Sequence, residues 1–266
     1  MLRIDENEGL TGFQERLLDI AAQTVPDLAE QPLYVVNTPL ARARGLYCPG
    51  NDRIFRDDIC DAQKWHGPGL AVVADVGPIY GRAFAQGHAL GLGTAEADRH
   101  ARLTLAGILL HEFSHGIVIG RDGEETLLAD GVPLARRAFR AVWQAAELPP
   151  AIKAAPPPVE PWHHGHGAPF IRTACHVAAR MRRAFPDLTY NDICSSEAYG
   201  VSSVDRYAAA LVGELDSTAS IRTLLASKAP RAFRDQWRQD VFSWYGNSAK
   251  GDEETAAAEA ALALVP

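Results

Sequence analysis

The residues with the clearest chemical potential are His111-Glu112-Phe113-Ser114-His115, an H-E-x-x-H run. On an α-helix, two histidines spaced i, i+4 lie about 40° apart around the axis, so both imidazoles can reach one metal ion. Glu112 follows His111 directly, where it can hold a water beside that metal and take its proton. Two histidines leave a catalytic zinc incomplete, because such sites take a third protein ligand and keep a fourth place open. Three groups of residues could supply it. One is the run Trp162-His163-His164-Gly165-His166-Gly167-Ala168-Pro169-Phe170; another is Asp130; the last is Glu124 or Glu125 in an acidic turn. Glycines on both sides of His166 would let the backbone approach a metal closely. His163 and His164 could stand behind the ligands or meet substrate, and Asp130 could orient a ligand histidine or cap a helix.

Such a motif needs a buried helix, and the surrounding pattern predicts one. Thr94 is a candidate N-cap, with Glu96 in the first turn, where the helix dipole favours negative charge. Leu103, Leu105, Ile108, Leu109, Leu110, Phe113, Ile117 and Val118 wrap most of the circumference, and Gly120 supplies a stop.

The elements around it are legible in outline. Gly12 to Val25 has helical periodicity. Pro32–Asn37 and Leu70–Val76 read as strands, Arg53–Ile59 as a short third, and the stretches between as loop. Gly87–Gly93 reads as a flexible connection or edge turn. Glu125–Ala146 is mostly helical, interrupted near Gly131. Residues 149–161 hold six prolines and form a stiff, extended excursion. A helix over Ala168–Phe185 buries Phe170, Ala174, Val177, Met181 and Phe185, with His176 structural. Its Arg172, Arg180, Arg182 and Arg183 read as a solvated face. Helices follow at Val204–Leu215, Ser220–Ser227 and Pro230–Trp244. The expected organisation is an N-terminal part (1–148) carrying the motif helix, a Pro-rich connection (149–161), a third-ligand loop with helical region (162–250) and an Ala-rich tail (251–266). The fold class expected is α+β: a zincin-like domain with a small N-terminal sheet packed on the motif helix, then a mainly helical C-terminal region. A substrate peptide could add to an edge strand, with Leu70–Val76 the candidate.

Composition narrows the function classes. The 266 residues, 47% hydrophobic and 22% charged, suit a globular chain with a full core. A net charge of −7 gives no strong nucleic-acid signal. An excess of Arg over Lys (22 against 4) suggests a GC-rich bacterial or phage genome. The first residues lack an apolar signal region and no run reaches a membrane span, so a cytoplasmic protein without membrane partners is expected. Cys48, Cys60, Cys175 and Cys194 show no C-x-x-C pairing and are expected to be free thiols.

H-E-x-x-H followed downstream by Gly165-His166-Gly167-Ala168-Pro169-Phe170 resembles the SprT/Spartan-like metallopeptidases. That resemblance implies that the histidine between the two glycines, His166, is the third zinc ligand beside His111 and His115. The segment between His115 and His166 is longer than is usual in that family, and its Cys-rich zinc ribbon is absent, which argues against a DNA-linked role.

The function expected is therefore zinc-dependent hydrolysis of a peptide bond in a protein or peptide substrate. Zn2+ would sit on His111, His115 and His166, with Glu112 as general base. Tyr190, Tyr199 and Arg172 are open candidates for stabilising the oxyanion. The alternative is a zinc-stabilised binding or assembly protein on the same scaffold with little or no peptidase activity. A closed fourth coordination position would favour it. Oligomeric state is not legible.

Overall fold

The computed structural model describes residues 2–4, 11–29, 33–37, 45–48, 70–74, 76–119, 167–194 and 203–248. Helix α1 (Thr11–Thr24) buries Leu17, Leu18 and Ala21, and α2 (Pro26–Ala29) follows at once. Four short strands, β1 (Leu2–Ile4), β2 (Leu33–Asn37), β3 (Gly45–Cys48) and β4 (Leu70–Ala74), pair in the order β1-β2-β4-β3. β2 runs parallel to β1 and β4, whereas β3 is antiparallel to β4. The expectation that Leu70–Val76 forms an edge is thus overturned. β4 lies between β2 and β3, and Val76 already belongs to the next helix.

That helix, α3 (Val76–Ala89), had no counterpart in the sequence reading, because Gly77, Pro78, Gly81 and Gly87 mask its pattern. Pro78 falls in the first turn, where a missing N–H costs nothing. Ile79, Ala83 and Gly87 are buried at helical spacing. The helix ends in a Schellman motif: Leu92 N–H donates to the Gly87 carbonyl (3.0 Å), Gly91 N–H to that of His88 (2.9 Å), and Gly91 has φ 83°. What read as a flexible connection is therefore an ordered helix stop.

The motif helix α4 (Thr94–Ile119) starts on Gly93, not on a Thr94 cap. Ala97 N–H donates to the Gly93 carbonyl, and Glu96 reaches back to the Gly93 N–H at 3.0 Å. Tyr80 of α3 donates to Asp98 of α4, which also accepts from Arg102 at 2.9 Å. These bonds fix α3 against the first turns of α4.

The C-terminal part comprises α5 (Ala168–Met181), α6 (Tyr190–Ile193), α7 (Val204–Ala210), α8 (Val212–Leu215), α9 (Ile221–Leu225) and α10 (Arg231–Ser248). The helix expected over Val204–Leu215 is split at Leu211, whose backbone (φ −105°, ψ 2°) is not helical. Tyr207 is fully buried, donating to Asp240 at 2.7 Å and packing edge-on against Phe233.

These elements correct the expected α+β zincin-like arrangement. The body described with its side chains is helical. Helices and the turns joining them supply its buried core. β-branched runs such as Leu33–Asn37 favour strands locally, whereas the described core lies mainly on α1, α4, α5 and the helices after them. The C-terminal helices are therefore no appendage. Phe170, Ile171, Ala174 and Val177 of α5 share one core with Leu105, Leu109, Phe113 and Ile117 of α4. No helix among the described residues is long and apolar enough to cross a membrane.

Candidate metal centre

His111, Glu112 and His115 project from the middle and end of α4, where Leu109, Leu110, Phe113 and Ile117 bury the helix. The Nε2 atoms of His111 and His115 stand 3.2 Å apart, with the rings edge to face. Ligands about 2.0–2.1 Å from a tetrahedral zinc are separated by about 3.3 Å, so this pair matches the bite of one ion. The same atoms can instead share a hydrogen bond, His115 Nε2–H donating, so the spacing suits zinc without requiring it.

A second feature concerns the proton on His111. Its Nδ1 lies 2.8 Å from the backbone oxygen of Ile193 in α6, 82 residues further on. A carbonyl can only accept, so His111 carries its proton on Nδ1, which makes Nε2 the nitrogen with a lone pair suited to a ligand role. Metal-binding histidines are commonly oriented in this way. Burial lowers the pKa of His111 to about 4, with the Ile193 bond opposing, so the ring is neutral at neutral pH. Glu112 and His115 are only 7% and 8% exposed.

The walls come from α5 and α9. The Phe170 ring packs 4.7 Å from His111 and 4.4 Å from His115, centroid to centroid. Arg222 donates from Nε and Nη2 to the carbonyls of Ile117 and Gly116 at 3.1 and 3.2 Å, placing a cation at the negative end of α4. Asp27, itself buried, accepts from the backbone N–H groups of Ile221 and Arg222 at 2.8 and 3.0 Å. Neither Asp27 nor Arg222 was visible as a site-supporting residue in the sequence. They lie 195 residues apart, and no local pattern joins them.

The other predicted residues divide into two sets. His163, His164, His166, Asp130, Glu124, Glu125 and Tyr199 lie outside the described residues. Among the described residues, no third His, Cys, Asp or Glu completes a metal-holding group with the pair. Gly167, the chain neighbour of His166, is the N-cap of α5, the helix whose Phe170 meets both histidines.

Arg172 is removed from the oxyanion candidates. It is 4% exposed, donates to both carboxylate oxygens of Glu214 (2.8 and 2.6 Å), and reaches the Ser227 carbonyl at 2.9 Å. His176 Nε2 lies 2.7 Å from the same carboxylate, consistent with its place in the buried stripe. The solvated-face reading thus fails for Arg172 and for Arg180, which is 3% exposed and donates to the carbonyls of Ser217 and Ala219. It describes Arg182 and Arg183, which are exposed. Tyr190 opens α6, with the Arg182 guanidinium stacked 5.1 Å from its ring centre.

Comparisons with protein-family models, curated proteins and solved structures find no match to this chain.

Proposed function

We propose that this protein is a zinc-dependent metallopeptidase acting on protein or peptide substrates in the cytoplasm. The observation that supports it best is the His111–His115 pair: two Nε2 atoms at a single-ion bite, with one ring's proton committed to the Ile193 carbonyl. A buried glutamate directly beside the first histidine has a use in hydrolysis that a purely structural site lacks. His166 is the favoured third ligand, because it adjoins the N-cap of the helix that packs on both rings. Zinc would supply Lewis acidity at that position, polarising the scissile carbonyl and making an attacking water acidic near neutral pH. Glu112 would serve as the general base, accepting a proton from the attacking water and passing it to the leaving amine. His111, held neutral by burial and oriented by the Ile193 carbonyl, would present Nε2 towards the ion beside Nε2 of His115.

Metal analysis of the full chain, run beside a casein or self-cleavage assay, tests this reading. Wild type should hold one zinc, His111→Ala should lose it, and His166→Ala should fall to a substoichiometric level. Full occupancy in His166→Ala would transfer the third position to Asp130 or another candidate. Full zinc with no hydrolysis under any condition would favour a zinc-stabilised binding protein instead.

A further inference from the structure

Gly107 lies one helical turn before His111, on the same side of α4. A Cβ at this position would overlap the backbone oxygen of Asp192 and lie 2.8 Å from its carbonyl carbon. Only glycine therefore allows the α6 backbone to come this close to α4. The next carbonyl along, that of Ile193, is the one that meets His111 Nδ1.

The turn carrying that carbonyl is braced at both ends. Thr189 and Asp192 form a reciprocal capping box: Asp192 N–H donates to Thr189 Oγ1 at 3.2 Å, and Thr189 N–H donates to Asp192 Oδ2 at 2.7 Å. Cys194 N–H closes the turn on the Tyr190 carbonyl at 3.0 Å. Leu188, Ile193 and Cys194 anchor it in the core, while Thr189 and Asp192 stay exposed. The brace is thus separable from the packing.

We propose that the turn Thr189–Cys194, admitted by Gly107 and braced by the Thr189–Asp192 capping box, is the positioning element of the metal centre. It fixes His111 in its Nδ1–H tautomer and thereby sets the affinity of the site for zinc. This rests on the metal-site reading above. Thr189, Asp192 and Gly107 are positioning residues that act through the Ile193 carbonyl and touch neither metal nor substrate.

The test measures zinc affinity by chelator competition on the full chain, and the His111 tautomer by nitrogen-15 NMR of histidine-labelled protein. Wild type, Asp192→Ala, Gly107→Ala and Thr189→Ser are compared. Wild type should show the Nδ1–H form of His111. Asp192→Ala should weaken zinc binding by about tenfold and Gly107→Ala by about 10–100-fold, the range seen when partners behind a metal ligand are lost. Both should mix the tautomers, whereas Thr189→Ser, which keeps the hydroxyl, should match wild type. If Gly107→Ala fails to fold, Asp192→Ala decides, since its side chain is exposed. Wild-type affinity and tautomer in Asp192→Ala would overturn the positioning role alone. A wild type that binds no zinc would overturn the metal reading, and this inference with it.

Discussion

Phe170 lies against His115 with ring centroids 4.4 Å apart and planes tilted by 33°, and it meets His111 edge-on from the same position. A fully buried ring from α5 thus holds both histidines of α4 from one side. Phe170→Ala should cost about 3–5 kcal/mol through the cavity it leaves, and should weaken zinc binding as the rings gain room. Urea unfolding and zinc titration of the same variant check both effects. Stability lost with zinc affinity intact would show that Phe170 serves the core and not the site.

Glu112→Gln separates chemistry from binding. Its zinc content should equal that of wild type, while hydrolysis should fall by about 10²–10⁴-fold, the range ascribed to a positioned base. Turnover at the wild-type rate in an assay free of other proteases would remove Glu112 from the mechanism.

The lowered pKa of His111 makes a signed prediction about pH. Its ordinary value of 6.5 in the unfolded chain falls to about 4 in the fold, through burial. Between these values the unfolded state binds more protons, so acidification favours unfolding. Stability of the metal-free protein should therefore drop as pH falls from about 6.5 to about 4, by on the order of 3 kcal/mol. Urea midpoints at pH 7, 5.5 and 4.5 measure the slope, and His111→Gln should flatten it.

Burial alone would raise the pKa of Glu214, but hydrogen bonds from His176 and Arg172 hold it down at about 2. Glu214→Ala would strand the Arg172 guanidinium in the core and should cost about 3–5 kcal/mol. Replacing Arg172 and Glu214 together by leucine should cost less than that single change, because no buried charge is left behind. Chemical denaturation of the two variants side by side gives the comparison.

Cys175 and Cys194 are free and buried. Burial raises the pKa of Cys175 well above its usual value and pushes Cys194 up to about 12, so neither forms thiolate near neutral pH. Peptide mapping after alkylation at pH 8 should find both unmodified in the folded protein and modified in urea. Rapid native labelling of either would contradict the packing of α5 and α6.

Local pattern revealed the helices with clean apolar periodicity. α1 and α4 fall within a few residues of their expected bounds, and the stripe from Phe170 to Met181 is buried as its spacing implied. The reading failed where local propensity and tertiary context disagree. Glycines hid α3, although its glycine at position 87 is there because α4 passes close by, Ala97 lying 3.0 Å from where a Cβ would stand. Arg172 and Arg180 looked like surface residues because arginine usually is one. In the fold, Glu214 and the Ser227 carbonyl compensate the burial of Arg172, while Arg180 is held through Nη2 by the Ser217 and Ala219 carbonyls. Short β-branched runs favour strands locally and say nothing about where a core forms.

The sequence by itself determined that His111 and His115 share one helix face with Glu112 beside them, because helical periodicity is a local rule. It also determined that this helix is buried, since its apolar residues run nearly all the way round. Only the tertiary structure decided which nitrogen of His111 is available, because the Ile193 carbonyl that takes its proton comes from 82 residues away. The fold alone likewise set Phe170 against both rings and Arg222 on the last carbonyls of the helix. Such long-range partners leave no periodic trace in the chain, because packing and not spacing brings them together.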